Sequence, residues 1–289
     1  MSLTNKNSML AVLWFICSLF ISVTNDVITK YTGFQLGIQQ VIFCRFFFSF
    51  LVILPVILMR GVGSIKTNNL FLQIARGVLL FFGMSSWMYS ITIVPIATAT
   101  IVNFSIPIFV LILARIFLKE KVTLLRWIVT LIGFVGIVTT LKLHDCCSFD
   151  SIALVLGAII FASLDVINKS VVSKESMLAM LFYSALISTL LAMPQAIISW
   201  QPLTIEHALL FLTLGIGANM ILFCLLKAFS YTDASALAPY RYLELPISLL
   251  VGYILFNDSP DKYSILGAAM IIPSTFFIIY SEAQKKYQA

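Results

Sequence analysis

Residues 25–30 read NDVITK and residues 164–169 read LDVINK, so Asp26 and Lys30 recur as Asp165 and Lys169 at an offset of 139 (26 to 165, 30 to 169). Pro107 and Pro246 keep the same offset, as do Phe117 and Phe256. In a chain that is 61% hydrophobic, apolar coincidences are cheap, whereas a matched Asp and a matched Lys inside apolar stretches are not. The chain therefore reads as a duplication. What the duplication means depends on how many membrane spans each half contains.

A mean hydropathy of +1.04 with 10% charged residues lies outside the range of soluble globular domains. Apolar runs recur along the chain, each near the roughly 20 residues that cross a bilayer. The composition predicts an integral membrane protein with the lipid bilayer around it and no sizeable soluble domain. The formal charge of +6 does not point to nucleic acid, because the basic residues are spread over short loops without interleaved aromatics. Cys17, Cys44 and Cys224 lie in apolar runs as small hydrophobes, and Cys146-Cys147 with His144 and Asp145 is too sparse for a metal site. No metal or cofactor is called for. The N-terminal apolar stretch has no small-residue cleavage site before Asn25, so it reads as a first span and not as a signal. There is no HExxH, no GxSxG and no phosphate-cradling glycine motif, and His144 and His207 both fall near loops. An enzyme is not expected.

Apolar runs between loop signals predict ten spans, roughly 9–29, 36–59, 71–92, 96–117, 123–142, 151–172, 177–199, 207–229, 234–256 and 263–281. The runs are continuous and do not alternate, which excludes a β-barrel. Lys30, Lys142 and Lys262 fall in odd-numbered loops. Lys6, Arg60, Lys66, Arg76, Arg115, Lys119, Lys121, Arg126, Lys169, Lys174, Lys227, Lys285 and Lys286 lie on or beside the opposite face. The excess of basic residues places both termini in the cytoplasm. Five spans per half make the second half enter from the opposite side. The expected fold is thus all-α, with ten transmembrane helices in two inverted five-helix repeats, residues 1–145 and 146–289. Secondary transporters use this arrangement. Asp26 and Lys30 then fall near the outer face, and Asp165 and Lys169 near the inner one. They are candidate gating residues, or alternatively solvated i, i+4 pairs at span ends.

An ionisable group at mid-bilayer costs about 2.5–3.5 kcal/mol on insertion scales and is a candidate site. Arg45 in span 2 and Arg241 and Glu244 in span 9 are such groups. Span 9 reads ASALAPYRYLELPISLLVGY (234–253), and helical spacing puts Tyr240, Arg241 and Glu244 on one face. Pro239 and Pro246 bracket them and predict a kinked, locally irregular helix, which is tolerated at membrane depth where it lines a cavity or is buried in protein. Glu244 could equally be neutralised by Arg241 or Arg45 to hold the bundle together. Asn103, Ser105 and Asn219 are polar groups within spans, suited to interhelical hydrogen bonds or to a ligand. Trp14 and Trp87 suit an interfacial belt or a stacking surface.

The stretch 75–138, ARGVLLFFGMSSWMYSITIVPIATATIVNFSIPIFVLILARIFLKEKVTLLRWIVTLIGFVGIV, resembles the first repeat of the EamA type of the drug/metabolite transporter superfamily. Arg76-Gly77, Ala97, Pro107, Glu120, Gly133 and Gly136 carry the likeness; Ala236, Pro246 and Gly267 carry it in the second half. The chain departs from the pattern after span 9, where FNDSPDK with Asp258 stands in place of the usual acidic position. Within that superfamily, NDVITKY (25–31), RFFFS (45–49), LLFFGMSSW (79–87), LDVINK (164–169), LLKAFS (225–230) and APYRYLEL (238–245) are similar to the S-adenosylmethionine uptake transporters of rickettsial-type intracellular bacteria. The resemblance implies import of a small-molecule substrate, S-adenosylmethionine, in exchange for S-adenosylhomocysteine, across the bacterial inner membrane. An EamA-type exporter of amino acids or other small metabolites, proton-coupled or not, is the alternative. Under the first reading Glu244 would face a cationic group, and Arg241 or Arg45 would hold the α-carboxylate in a bidentate fork. Tyr240, Tyr242, Trp87 or Phe104 would stack on the adenine or sit against the sulfonium, with Asn103 as a polar contact.

Overall fold

The computed structural model describes residues 3–33, 36–93, 102–140, 150–256 and 262–285, and among them every regular element is helical. In chain order the long elements are α1 (Leu3–Gly33), α2 (Ile38–Arg60), α3 (Leu70–Ile93), α4 (Ile106–Phe117), α5 (Leu124–Thr140), α6 (Asp150–Val171), α7 (Met177–Ile198) and α8 (Ile205–Tyr231). A broken segment follows, made of α9 (Ala234–Leu237), a 3-10 turn (Ala238–Leu243) and α10 (Glu244–Phe256). The last helix is α11 (Lys262–Lys285).

Among the described residues, six stretches are long and apolar enough to cross a membrane: Met9–Thr29, Ile38–Arg60, Leu70–Met88, Leu154–Val171, Met177–Ile198 and Ile205–Tyr231. The other four of the ten predicted spans look different. The fifth and tenth carry shorter apolar helices, Leu124–Val138 and Ile265–Thr275. The fourth shows Val102 and Asn103 in a helical turn, an interruption at Phe104-Ser105, and then α4. The ninth is broken where its prolines predict. Pro239 opens the 3-10 turn, a position that needs no backbone donor. Pro246 falls in the first turn of α10, where the N–H would have no intrahelical partner.

The polarity of the bundle is the reverse of a soluble protein's. Phe71, Leu58 and Ile198 face outward, more than three-quarters exposed, at 77%, 77% and 87%. Gln40, Gln73, Arg76, Thr130, Asn168 and Ser188 are buried. Only a hydrocarbon solvent rewards that distribution, since it drives polar side chains to satisfy each other inside. Gln40 and Gln201 exchange hydrogen bonds of 2.8 and 2.9 Å between α2 and the α7–α8 loop. At the opposite end Glu120 accepts the backbone N–H groups of Ala234 and Ser235, at 3.0 and 2.9 Å. This capping holds the start of α9.

Helices pack chiefly across the sequence, not along it. α1 lies along α8, α3 along α6, α2 along α7 and α5 along α11; α2 also meets α8, and α3 meets α7. Gly215 on α8 makes the α2–α8 contact close. A Cβ there would come within 2.6 Å of the Phe48 carbonyl carbon and 2.7 Å of the Ser49 nitrogen, and a backbone wall cannot yield as a side chain can. Gly215→Ala is therefore expected to destabilise the protein by about 1–3 kcal/mol. A lowered thermal midpoint of the purified protein in detergent checks this, and an unchanged midpoint refutes it.

Candidate functional site

The site starts on α1. Ser18, Ser22, Asn25, Asp26 and Thr29 recur every three or four residues, which draws a polar stripe along one helical face. Asn25 donates to the Leu214 carbonyl on α8 at 3.3 Å, which anchors the stripe. Ser22 donates from Oγ to Oε1 of Glu244 at 3.3 Å. Asp26, one turn further, is not covered by the packing and borders solvent-accessible space. It lies within Coulombic range of both Glu244 and Arg45. Arg45 reaches this space from α2, is 9% exposed, and leaves its Nη1 without a hydrogen-bond partner among the described residues.

The 3-10 turn completes the site from the other side. It has three residues per turn, so Arg241 and Glu244 come into line and lie within Coulombic range of each other. Arg241 Nη2 forms an ion pair of 3.2 Å with Asp165 Oδ2 on α6. Asp165 and Arg241 share the wall of a small cleft with Phe15, Pro107, Val110 and Phe229. Five ionisable side chains thus neighbour one another in succession inside the bundle: Arg45, Asp26, Glu244, Arg241, Asp165. Three acids face two arginines, and if each group carries its formal charge, one negative charge is left over.

Several expectations are corrected by this geometry. Asp165 pairs with Arg241 and not with Lys169 one turn along its own helix. Lys169 instead donates from Nζ to the carbonyls of Phe229 and Thr232, both at 2.7 Å, which ties α6 to the C-terminal end of α8. Tyr240 does not share a ligand face with Arg241 and Glu244; it is 3% exposed in the main core cluster. The change from α to 3-10 winding accounts for this, because it moves i and i+4 apart. Phe104 and Tyr242 stack on each other, with centroids 6.1 Å apart and 27° between planes, in a cluster with Ile137, Leu245 and Ile271. Their faces are used in packing, so neither offers a surface to a ligand in this conformation. The side chain of Lys30 lies outside the described residues, as do His144, Asp145, Cys146, Cys147, Ala97 and Asp258.

Trp87 and Asn103 lie close to each other elsewhere in the bundle. They line a second cleft with Gly83, Ser86, Gly157 and Phe161. Phe161 and Asp165 are one helical turn apart on α6, so this cleft and the row of charges follow one face of the same helix. Asn219 makes the interhelical bond foreseen for it, donating to the Ser49 carbonyl on α2 at 2.7 Å, and a second bond within α8 to the Gly215 carbonyl at 3.1 Å.

Two groups escaped sequence reasoning. Ser22 bears no charge to mark it within an apolar run, although its i, i+4 relation to Asp26 is a signal. Arg76 was counted among cations at span ends. It is fully buried, with Nε donating to Asn168 Oδ1 and Nη1 to Gln73 Oε1, both at 2.6 Å, and Nη1 also to the Met180 carbonyl at 3.3 Å. It bridges α3, α6 and α7.

The family model described as the EamA-like transporter family matches the sequence twice, over residues 9–142 and 149–280. The chain is 53% identical over 271 residues to a Rickettsia conorii protein described as an S-adenosylmethionine uptake transporter, covering 93% of this chain and 92% of that one. It is 50% identical over 279 residues to a Rickettsia prowazekii protein of the same description, covering 96% and 95%. A solved crystal structure superposes with a TM-score of 0.80 at 16% identity, over 96% of this chain and 99% of that chain. At that identity the likeness concerns the fold alone.

Proposed function

The chain belongs to the EamA-like transporter family, and from that membership we propose that it imports S-adenosylmethionine across the bacterial inner membrane, in exchange for S-adenosylhomocysteine. The observation that carries the proposal is the row of five charges inside the bundle, in a chain about half identical to proteins described as S-adenosylmethionine uptake transporters. S-adenosylmethionine carries a sulfonium, an α-ammonium and an α-carboxylate, hence one net positive charge. At formal charges the row carries one net negative charge, which complements it. Glu244 and Asp26 face the cationic groups, while Arg45, with its unpartnered Nη1, or Arg241 takes the carboxylate. Trp87 and Asn103 belong to the same binding region. Tyr240, Tyr242 and Phe104 shape it from behind.

Alternating access through two inverted repeats, residues 1–145 and 146–289, is the mechanism this reading takes. Three observations support it. The family model matches once in each half. The helix contacts pair up under the same offset of 139: α1 with α8 answers α6 with α3, and α2 with α8 answers α7 with α3. The interruption at Phe104-Ser105 before α4 answers the 3-10 turn that ends at Leu243 before α10. Ten spans with both termini in the cytoplasm follow from the same reading and from the side bias of the basic residues.

The repeated aspartates are the gates in this proposal. Asp26 is open to water, while its counterpart Asp165 is buried and ion-paired. One equivalent position is thus unlocked while the other is locked, as a carrier open on one side requires. Lys169 acts as an anchor at the closed end.

Uptake of radiolabelled S-adenosylmethionine by cells expressing the chain tests the proposal. Accumulation above that of cells lacking the chain is expected, with inhibition by excess unlabelled S-adenosylhomocysteine. Accumulation that the homocysteine derivative leaves unchanged removes the exchange mechanism. No accumulation at all, in cells where the protein is inserted, removes the substrate.

A further inference from the structure

Phe161 was not singled out in the sequence, yet it stands on the wall of the cleft that holds Trp87 and Asn103. The cleft has two aromatic side chains, a carboxamide and two glycines, Gly83 and Gly157. Gly157 keeps its wall close: a Cβ there would lie 2.5 Å from Ser86 Oγ. Trp87 and Val102 pack against Leu154, and Ser86 is the other polar side chain among the lining residues. Asn103 is half-buried, and its carboxamide makes no hydrogen bond among the described residues, unlike Asn25, Asn168 and Asn219. An amide held among aromatic rings with both its donor and its acceptor unused is suited to the edge of a heteroaromatic ring that itself carries one donor beside one acceptor.

We infer that this cleft is the base subsite of the carrier, with Trp87 and Phe161 on the faces of a 6-aminopurine and Asn103 on its polar edge. The inference rests on the substrate reading above. The carboxamide oxygen accepts from the exocyclic 6-amino group and the carboxamide nitrogen donates to N7, the same bidentate match by which asparagine reads adenine elsewhere. Spacing along α6 fits one ligand in both places. Phe161 and Asp165 are separated by about 6 Å of helix, and Ala158 and Asp165 by about 10 Å, which is the reach of a ribose and a short chain through the sulfonium. The purine thus sits in the cleft while the amino-acid end lies among the charges. The cleft is narrow in this conformation, so the ring of Trp87 or Phe161 turns to admit the base.

A purine with a 6-oxo group replaces the donor by an acceptor and leaves the Asn103 oxygen unpaired. Competition assays on the full chain, expressed in cells taking up labelled S-adenosylmethionine, read this directly. For the unaltered chain, the 6-oxo (inosyl) analogue of the substrate is expected to inhibit roughly tenfold less well than the 6-amino compound. Asn103→Leu is expected to erase that difference, Asn103→Gln to retain it in part, and neither to change inhibition by S-methylmethionine, which has no base. Membrane levels of each variant are measured alongside. Equal inhibition by both purines in the unaltered chain, or a difference that survives Asn103→Leu, overturns the subsite while leaving the substrate intact. Absence of uptake by the unaltered chain overturns both.

Discussion

Arg241→Ala is expected to reduce S-adenosylmethionine uptake by at least about a hundredfold and to lower the thermal midpoint of the purified protein. Truncation leaves Asp165 buried with its ion-pair partner gone, and stranding one member of a buried pair costs about 3–5 kcal/mol. A second variant separates stability from transport. Arg241→Ala combined with Asp165→Ala removes both charges, so no ion is stranded, and the midpoint should return most of the way towards the original. Uptake should not return, because the lock at the closed gate and one candidate carboxylate clamp are both missing. Recovery of uptake in the double variant would reduce the pair to a structural strut. Full uptake in Arg241→Ala alone would remove it from the mechanism.

Glu244→Gln is expected to act on selectivity more than on folding. Glutamine keeps the shape and can still accept the Ser22 hydrogen bond. What changes is the charge balance of the row, from three acids against two arginines to two against two. The cationic sulfonium loses its counter-charge, worth several kcal/mol at an effective dielectric of about 20 and a separation of about 4 Å. Uptake of S-adenosylmethionine should therefore fall more than about tenfold. Inhibition by S-adenosylhomocysteine, which has no sulfonium, should change less than about threefold. Inhibition constants for the two ligands in the two proteins decide the matter. A parallel loss for both ligands would mean that Glu244 shapes the site without reading charge.

Much of this was legible before the structure. The recurring DVI(T/N)K segment, the run of apolar stretches and the two prolines around Arg241 anticipated an all-helical membrane protein with a broken helix at its polar centre. The companions of individual side chains were not legible. Asp165 has a lysine at i+4, and local spacing favoured that pair, but the residue that reaches it is 76 positions away, Arg241. Phe104 and Tyr242 look like exposed stacking surfaces in a linear reading, and only the packing of α4 and the 3-10 turn shows them spent on each other. Arg76 sits where a span-end cation is expected to reach water. Its partners Asn168 and Met180 lie 92 and 104 residues on, beyond any local pattern. In each case tertiary packing supplied the partner, and single-sequence periodicity carries no information about it.

The crosswise pairing of the helices bears on how the protein is made. α1 emerges from the ribosome first, yet the helix it lies along, α8, begins only at Ile205. Throughout that interval the stripe from Ser18 to Thr29 lacks its main native companion, with only α2 and its Arg45 beside it, and α3 likewise lacks its main companion until α6 arrives. The nascent chain must wait, inserted but unassembled, until more than two-thirds of it has been synthesised. A product truncated after α5 would therefore present its polar stripes to lipid and be open to quality-control proteases. The complementary fragment, supplied from a second gene, should rescue it, because each fragment holds the surfaces that the other lacks.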